Sequence, residues 1–136
     1  MNHISKTNFT YYSADERLVE RREVLLTVDY TGQIFWNPPA IYKSRCRIQM
    51  EHFPFDYQIC YLRFASWTLH GRRLNLTFLD GIRSALLDDY KESNEWHIVA
   101  YPAARRFFRQ TCCDDPFPNL IFFFVYVIPL LLLLNI

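Results

Sequence analysis

The 136-residue sequence predicts an all-β fold, a sandwich of antiparallel strands, from three observations. Apolar and polar side chains alternate on both sides of the segment between Cys46 and Cys60, as on strands that bury one face. A glycine-containing turn, residues 29–32, separates two further apolar runs, which is typical of a hairpin. The alternation returns at residues 74–79, where Leu74, Leu76 and Phe78 share one face.

The first predicted hairpin joins strands at residues 24–29 and 33–36 through Asp29-Tyr30-Thr31-Gly32, in which the glycine tolerates a positive φ. The ladder is expected to stop after Asn37, because the two prolines that follow cannot donate backbone hydrogen bonds. Further strands are predicted at residues 42–50, 61–67, 74–79, 96–101 and 120–127, with a polar loop at residues 80–94.

Cys46 and Cys60 are predicted to form a disulfide. Cys46 shares its apolar face with Tyr42 and Ile48, and Cys60 shares its face with Leu62, so both sulfurs point toward one core. The alternative is two unrelated buried thiols. A bridge that closes about fifteen residues stabilises the fold by roughly 3 kcal/mol.

The loop inside this bridge has an apolar tip. Its sequence is Phe53-Pro54-Phe55-Asp56, and the proline fixes its own φ and holds Phe53 extended. So short a loop cannot bury its own two aromatic rings. We therefore expect them to pack on a neighbouring element.

Several motifs occur together in a set order: Pro-Pro-Ala-Ile-Tyr-Lys-Ser at residues 38–44, the Cys46–Cys60 loop with its tip, Ser66-Trp67-Thr68, and the adjacent pair Cys112-Cys113. In these residues, from about Tyr11 to the C-terminus, the chain resembles the Cys-loop family of pentameric ligand-gated ion channels, and within it the alpha-type nicotinic acetylcholine receptor subunits. The resemblance implies an immunoglobulin-like β-sandwich, the extracellular ligand-binding domain.

That domain would occupy residues 1–127, truncated at its N-terminus, and residues 128–136 would open the first transmembrane helix. The polar residues 1–10 contain no apolar signal-peptide region, which favours a truncated chain. The apolar residues after 127 are too few to span about 30 Å of hydrocarbon.

The resemblance implies an agonist site between subunits. The principal face would use five residues: Tyr11, Trp67, Cys112, Cys113 and Phe117. Trp67 is the strongest of these, because an indole face is the best cation–π partner for a quaternary ammonium, worth roughly 2 kcal/mol when desolvated. An ordinary core tryptophan is the alternative for Trp67, and a tyrosine packed at a strand end is the alternative for Tyr11.

The complementary face, lent to the neighbouring subunit, would use Thr27, Phe35 and Asn37. Cys112 and Cys113 would form a vicinal disulfide, and a metal site there is disfavoured because neighbouring thiolates rarely complete a tetrahedral set by themselves. In the family, a tip like that formed by Phe53, Pro54, Phe55 and Asp56 couples the pocket to the membrane helices.

The chain departs from the family pattern at several positions. Gln110 and Phe117 stand where tyrosines are expected, and Asn119 stands where an aspartate is expected. His70 replaces an acidic or small residue, and Arg63 replaces a lysine. The set of tyrosine rings expected around the ligand is therefore smaller than in the family.

Composition and motifs limit the function class. The formal net charge is +1 and no basic face is apparent, so nucleic acid is not an expected partner. The histidines lack metal-ligand spacing and no nucleophile motif occurs, so no metal, cofactor or enzymatic activity is expected. Two cysteine pairs and two sequons, at Asn8 and Asn75, indicate an oxidising compartment. Asn75 is the favoured glycosylation site because it lies on the polar face of its segment.

The expected partners follow from the resemblance: acetylcholine or a similar small cationic agonist, other receptor subunits in a homo- or hetero-pentamer, and the plasma membrane through C-terminal helices that this chain lacks. The alternative is a soluble ligand buffer that resembles an acetylcholine-binding protein. The apolar tip at residues 53–56 and the leucine-rich residues 130–134 favour the channel subunit.

Overall fold

The computed structural model describes residues 9–11, 25–38, 41–42, 44–51, 56–111 and 113–128. The prediction of an all-β fold is confirmed. The described residues form seven strands: β1 (Phe9–Tyr11), β2 (Thr27–Val28), β3 (Ile34–Phe35), β4 (Tyr57–Ser66), β5 (His97–Ala100), β6 (Ala103–Gln110) and β7 (Cys113–Val127). One turn of 3₁₀ helix, Leu79–Gly81, accompanies them.

The long strand β7 is the centre of a five-stranded antiparallel sheet. Along one edge it pairs with β4 in an unbroken register from Tyr57–Val127 to Ala65–Asn119. Along the other edge it pairs with β6, and at its C-terminal end with β5. The short strand β1 pairs with the last three residues of β4, on the edge opposite β7. Two neighbours on opposite edges therefore fix the position of β7.

Aromatic rings fill one face of this sheet. Phe64 and Phe122 meet edge to face with centroids 5.8 Å apart, and Phe78 approaches Phe122 at 5.9 Å. Tyr42 approaches Phe64 from outside the sheet at 5.5 Å. Edge-to-face pairs of this kind add about 0.5–1.5 kcal/mol beyond the area that they bury.

The predicted hairpin at residues 29–32 is confirmed, although its strands are limited to β2 and β3. Asp29 closes the turn, because its Oδ1 accepts the Thr31 hydroxyl at 2.6 Å and the backbone N–H groups of Thr31 and Gln33 at 2.8 and 2.9 Å. Gly32 adopts a φ of 87°, which side chains disfavour. The Thr31 hydroxyl, aided by the Gln33 N–H, lowers the pKa of the Asp29 carboxyl, so the turn keeps these bonds until the pH falls through that lowered pKa.

The disulfide between Cys46 and Cys60 is present, with Cα atoms 5.4 Å apart, but the predicted strand at residues 42–50 is wrong. Residues 45–50 form no ladder, and Ile48 and Met50 are exposed instead of facing the core. The buried side chain of Gln58, and not a neighbouring strand, makes the hydrogen bonds to the backbone of this segment. It accepts the Gln49 N–H at 2.9 Å, donates to the Gln49 carbonyl at 2.6 Å and also donates to Asp56. A side chain thus takes the place of a neighbouring strand.

The predicted strand at residues 74–79 is also wrong, since no ladder forms at residues 74–78 and the 3₁₀ turn begins at Leu79. The alternation of burial nevertheless holds, with Leu74, Leu76 and Phe78 turned inward and Asn75 and Thr77 exposed. The later strands are confirmed as β5 and as part of β7. The strand expected at residues 61–67 begins earlier, at Tyr57, and ends one residue sooner, at Ser66.

Some expectations concern residues outside those described: Asn8, the tip residues Phe53, Pro54 and Phe55, and residues 129–136. Within the described part of the chain, no helix has the length and apolar character needed to cross a membrane.

We predict that Gln58→Leu lowers the free energy of unfolding by about 1–3 kcal/mol, because it leaves the Gln49 backbone groups without partners. The matched control is Gln49→Leu, which keeps those backbone groups and changes only an exposed side chain, and its effect should stay within about 0.5 kcal/mol. Urea unfolding of the oxidised proteins measures both values. Equal losses for the two variants would contradict the role assigned to Gln58.

Candidate functional site

Trp67 lies where β4 ends and the chain turns. Ser66 is the last strand residue, and its hydroxyl oxygen accepts the Leu69 N–H at 3.0 Å, which starts the turn at residues 67–73. The Trp67 side chain is 56% exposed. The ordinary core tryptophan considered above is therefore not what the structure contains.

The turn is attached to β7 through backbone atoms. The Gly71 N–H donates to the Pro116 carbonyl at 2.9 Å, and the N–H groups of Arg73 and Leu74 donate to the His70 carbonyl at 2.9 and 3.0 Å. A Cβ atom on Gly71 would lie 3.0 Å from the Pro116 oxygen, tighter than most such contacts, so the neighbouring backbone would have to shift by a few tenths of an ångström. The absence of a side chain at Gly71 therefore permits this close approach.

Side chains join the same two segments. Asp115 Oδ1 lies 2.9 Å from Arg72 Nε, and Asp115 Oδ2 lies 3.4 Å from His70 Nδ1. His70 Nδ1 is buried and makes no hydrogen bond, so its contact with Asp115 is an ion pair only when the imidazole is protonated. The His70 ring also packs edge to face against Phe117, with centroids 6.4 Å apart.

Phe117, an expected ligand contact, is 3% exposed and belongs to the core in this structure. The neighbouring Asn119 is buried as well and donates its amide to the Phe117 carbonyl at 2.8 Å, so it has a local structural role. The position where the family has an aspartate therefore stabilises the backbone of β7 in this chain.

Arg63 packs on an aromatic ring. Its guanidinium carbon lies 5.2 Å from the centre of the Phe108 ring, and Phe108 is paired across the ladder with Phe117. Gln110, at the end of β6, pairs with Cys113 at the start of β7. The hairpin of β6 and β7 thus brings Gln110 and Phe117 to the end of the sheet at which β4 stops and the Trp67 turn begins.

The backbone of Tyr11 lies at the same end of the sheet, because β1 pairs Tyr11 with Phe64 and Phe9 with Ser66. The side chain of Tyr11, that of Cys113 and all of Cys112 are outside the described part. The expected bond between the two cysteines therefore stays a prediction.

The residues expected on the complementary face form a separate group. Thr27 and Phe35 are cross-strand partners in β2 and β3, and Asn37 follows them; all three are exposed. Among the described strands, β2 and β3 contact only each other. Thr27 and Phe35 therefore belong to a different sheet from β4, the strand that ends beside Trp67. Within the described residues, no cluster of His, Cys, Asp and Glu could hold a metal ion.

Sequence reasoning missed Asp115 and Pro116 as partners of the turn. Their contacts join residues more than forty positions apart in sequence, and no local pattern around the cysteine pair signals them.

We predict that Gly71→Ala speeds amide hydrogen exchange at position 71, because the added methyl group pushes the turn away from the Pro116 carbonyl. Arg73→Ala is the matched control, an exposed side chain in the same turn, and exchange at Gly71 should stay within about twofold of the parent. Unchanged exchange in Gly71→Ala would contradict the close approach.

Comparison with known proteins gives one family. Residues 6–126 match the family described as neurotransmitter-gated ion-channel ligand binding domain. An acetylcholine receptor subunit alpha-like protein of Manduca sexta is 37% identical over 129 residues, covering 89% of this chain and 25% of the relative. The human neuronal acetylcholine receptor subunit alpha-3 is 36% identical over 107 residues, covering 78% of this chain and 21% of the relative. The chain thus spans about a quarter or less of these relatives.

A solved structure of similar fold is that of the AChBP of Capitella teleta in complex with lobeline. It matches with a TM-score of 0.66 and 21% identity, covering 90% of this chain and 55% of that one. At this identity the likeness is one of fold alone. The two proteins share the β-sandwich architecture that the sequence of this chain predicts.

Proposed function

Because this chain belongs to the family of neurotransmitter-gated ion-channel ligand-binding domains, we propose that it forms the agonist-binding part of a nicotinic-type channel subunit. The observation that carries this proposal is the exposed Trp67 indole. It lies on a turn whose Gly71 N–H donates a hydrogen bond to the Pro116 carbonyl of β7. The alpha-type receptor subunits among the relatives support the same assignment.

The chemistry of the site favours a cation. The indole face of Trp67 carries a negative quadrupole that attracts a quaternary ammonium, and the exposed ring is available for such a contact. Phe117 is buried and Gln110 has no ring, so Trp67 carries a larger share of the interaction in this chain. Acetylcholine, a small quaternary ammonium ester, is the agonist that we propose.

Binding at a subunit interface is the geometry we propose. The β2–β3 hairpin is a sheet separate from the one that carries Trp67, and it exposes Thr27, Phe35 and Asn37, which would leave them available to a ligand bound against another subunit. A neighbouring subunit would supply the complementary wall, and a ring of five subunits would repeat the site.

Gating would pass through the Cys46–Cys60 loop. The disulfide and the Gln58 side chain attach the start of this loop, at Cys46 and Gln49, to β4, the strand that ends just before Trp67. We propose that movement at the Trp67 end of β4 reaches the tip residues Phe53, Pro54, Phe55 and Asp56, and through them the membrane helices.

A soluble ligand buffer is the second candidate, because an acetylcholine-binding protein shares the fold. The channel is preferred because residues 120–136 continue β7 into an almost wholly apolar run. Carbonate extraction of cell membranes separates the two candidates: a channel subunit stays with the membrane, and a soluble buffer is released.

We propose that the domain is extracellular and glycosylated at Asn75. The sequon Asn75-Leu76-Thr77 exposes its first and third residues and turns Leu76 inward, and Asn75 Oδ1 accepts a hydrogen bond from Arg105.

We predict that glycosidase treatment of the secreted protein gives a mobility shift that Asn75→Gln and Thr77→Ala both remove. Asn94→Gln, which changes an exposed asparagine outside any sequon, is the matched control and should keep the shift. A shift that survives Asn75→Gln but disappears with Asn8→Gln would move the glycan to the other sequon.

We predict that Trp67→Ala weakens acetylcholine binding about thirtyfold, the loss of a desolvated cation–π contact of roughly 2 kcal/mol. Gln110→Tyr should strengthen binding, because it adds an electron-rich ring near the hairpin end. Tyr57→Ala, an exposed ring at the opposite end of β4, is the control and should bind like the parent. Ligand displacement on receptors assembled with the same partner subunits measures all three, and parental affinity in Trp67→Ala would remove this chain from the principal face.

A further inference from the structure

The Arg72 guanidinium and the His70 imidazole, both from the Trp67 turn, reach one carboxylate on β7, close to the pair Gln110–Cys113 that closes the β6–β7 hairpin. Arg72 Nε lies 2.9 Å from Asp115 Oδ1, and His70 Nδ1 lies 3.4 Å from Asp115 Oδ2. The contacts use both oxygens of the carboxylate. They join the turn to β7 beside the Gly71–Pro116 backbone hydrogen bond.

The two contacts differ in environment. Arg72 is 80% exposed, so solvent and salt screen its pairing with Asp115. His70 and Asp115 are each only 25% exposed, and the His70 ring is also held against Phe117. The contact between His70 and Asp115 is therefore the less screened of the two.

Protonation of the imidazole adds charge attraction to the contact between His70 and Asp115. Nδ1 is buried without a hydrogen-bond partner, and a bare ring nitrogen facing a carboxylate oxygen places two lone pairs together. A proton on Nδ1 removes that conflict, and a fully protonated imidazole adds charge attraction. Histidine is the side chain whose charge ordinarily changes between about pH 5 and 8.

We propose that Asp115 is a positioning residue, which holds the Trp67 turn against the hairpin through a constant contact with Arg72 and a proton-dependent contact with His70. The proposal rests on the proposed function, because the site that it positions is the agonist site. His70 replaces an acidic or small residue of the family pattern, so the arrangement depends on this chain's own residues.

The other charges around His70 determine the direction of the effect. Among the described residues, the charged groups that meet at this point are Asp115 from β7 and Arg72 from the turn itself. An imidazolium at His70 would be attracted to the Asp115 carboxylate, whereas solvent screens its repulsion from the exposed Arg72 guanidinium. Lower pH should therefore tighten the attachment of the turn and raise the affinity for agonist.

The experiment uses the full chain and two readouts at pH 6 and pH 8. The first is the protection factor of the Gly71 amide, corrected for intrinsic exchange, which requires no ligand. The second is the affinity for acetylcholine. The variants are Asp115→Asn, Asp115→Glu and His70→Gln. Asp114→Asn is the matched control, since among the described residues the exposed Asp114 forms no ion pair.

In the parent and in Asp114→Asn, protection and affinity should both be about threefold to fivefold higher at pH 6, the range of a partly exposed ion pair. Asp115→Asn and His70→Gln should abolish the pH difference in both readouts, and Asp115→Glu should restore part of it. His70→Gln keeps the Arg72 contact and so separates proton dependence from misfolding.

A pH difference that persists in Asp115→Asn, or protection that changes without any change in affinity, would overturn the positioning role. If acetylcholine fails to bind the parent at either pH, the proposed function fails, and the protection factors alone decide whether Asp115 holds the turn.

Discussion

The antiparallel pairing of β4 with β7 is the constraint on which the rest of the structure depends. The register runs without interruption from Tyr57–Val127 to Ala65–Asn119 and brings the end of β4 to the base of the β6–β7 hairpin. A slip of one residue would turn every side chain of β4 to the opposite face, and Cys60 and Gln58 could no longer reach residues 46–49. One register therefore fixes both the disulfide loop and the Trp67 turn.

The same strand connects the two ends of the proposed mechanism. Gln58 and Cys60 hold the coupling loop near the start of β4, and Ser66 starts the turn that carries Trp67 at its other end. Between them, Phe64 packs against Phe122 in the core. A paired strand is stiff along its length, so β4 is suited to transmit a displacement from the agonist site toward the membrane.

Sequence alone was sufficient where alternation coincides with ladder formation, as in β4, β5 and the Asp29 turn. It was not sufficient at residues 42–50 and 74–79, because alternation reports which side chains face inward and does not report backbone pairing. The segment that contains Gln49 pairs with a side chain, and the segment that contains Leu76 buries alternate residues without a ladder. Likewise, Trp67 could be predicted from a local motif, whereas Asp115 could not, since its contacts depend on the long-range register of β7.

The central claim is that a quaternary ammonium sits on the face of the Trp67 indole. The most direct measurement replaces Trp67 with tryptophan analogues carrying one to four fluorine atoms, which withdraw electron density from the ring face and change its shape little. If the contact is a cation–π interaction, the affinity for acetylcholine should fall stepwise with each added fluorine. An affinity that stays constant across the series would contradict the account and leave Trp67 as a residue that shapes the turn without binding the ligand.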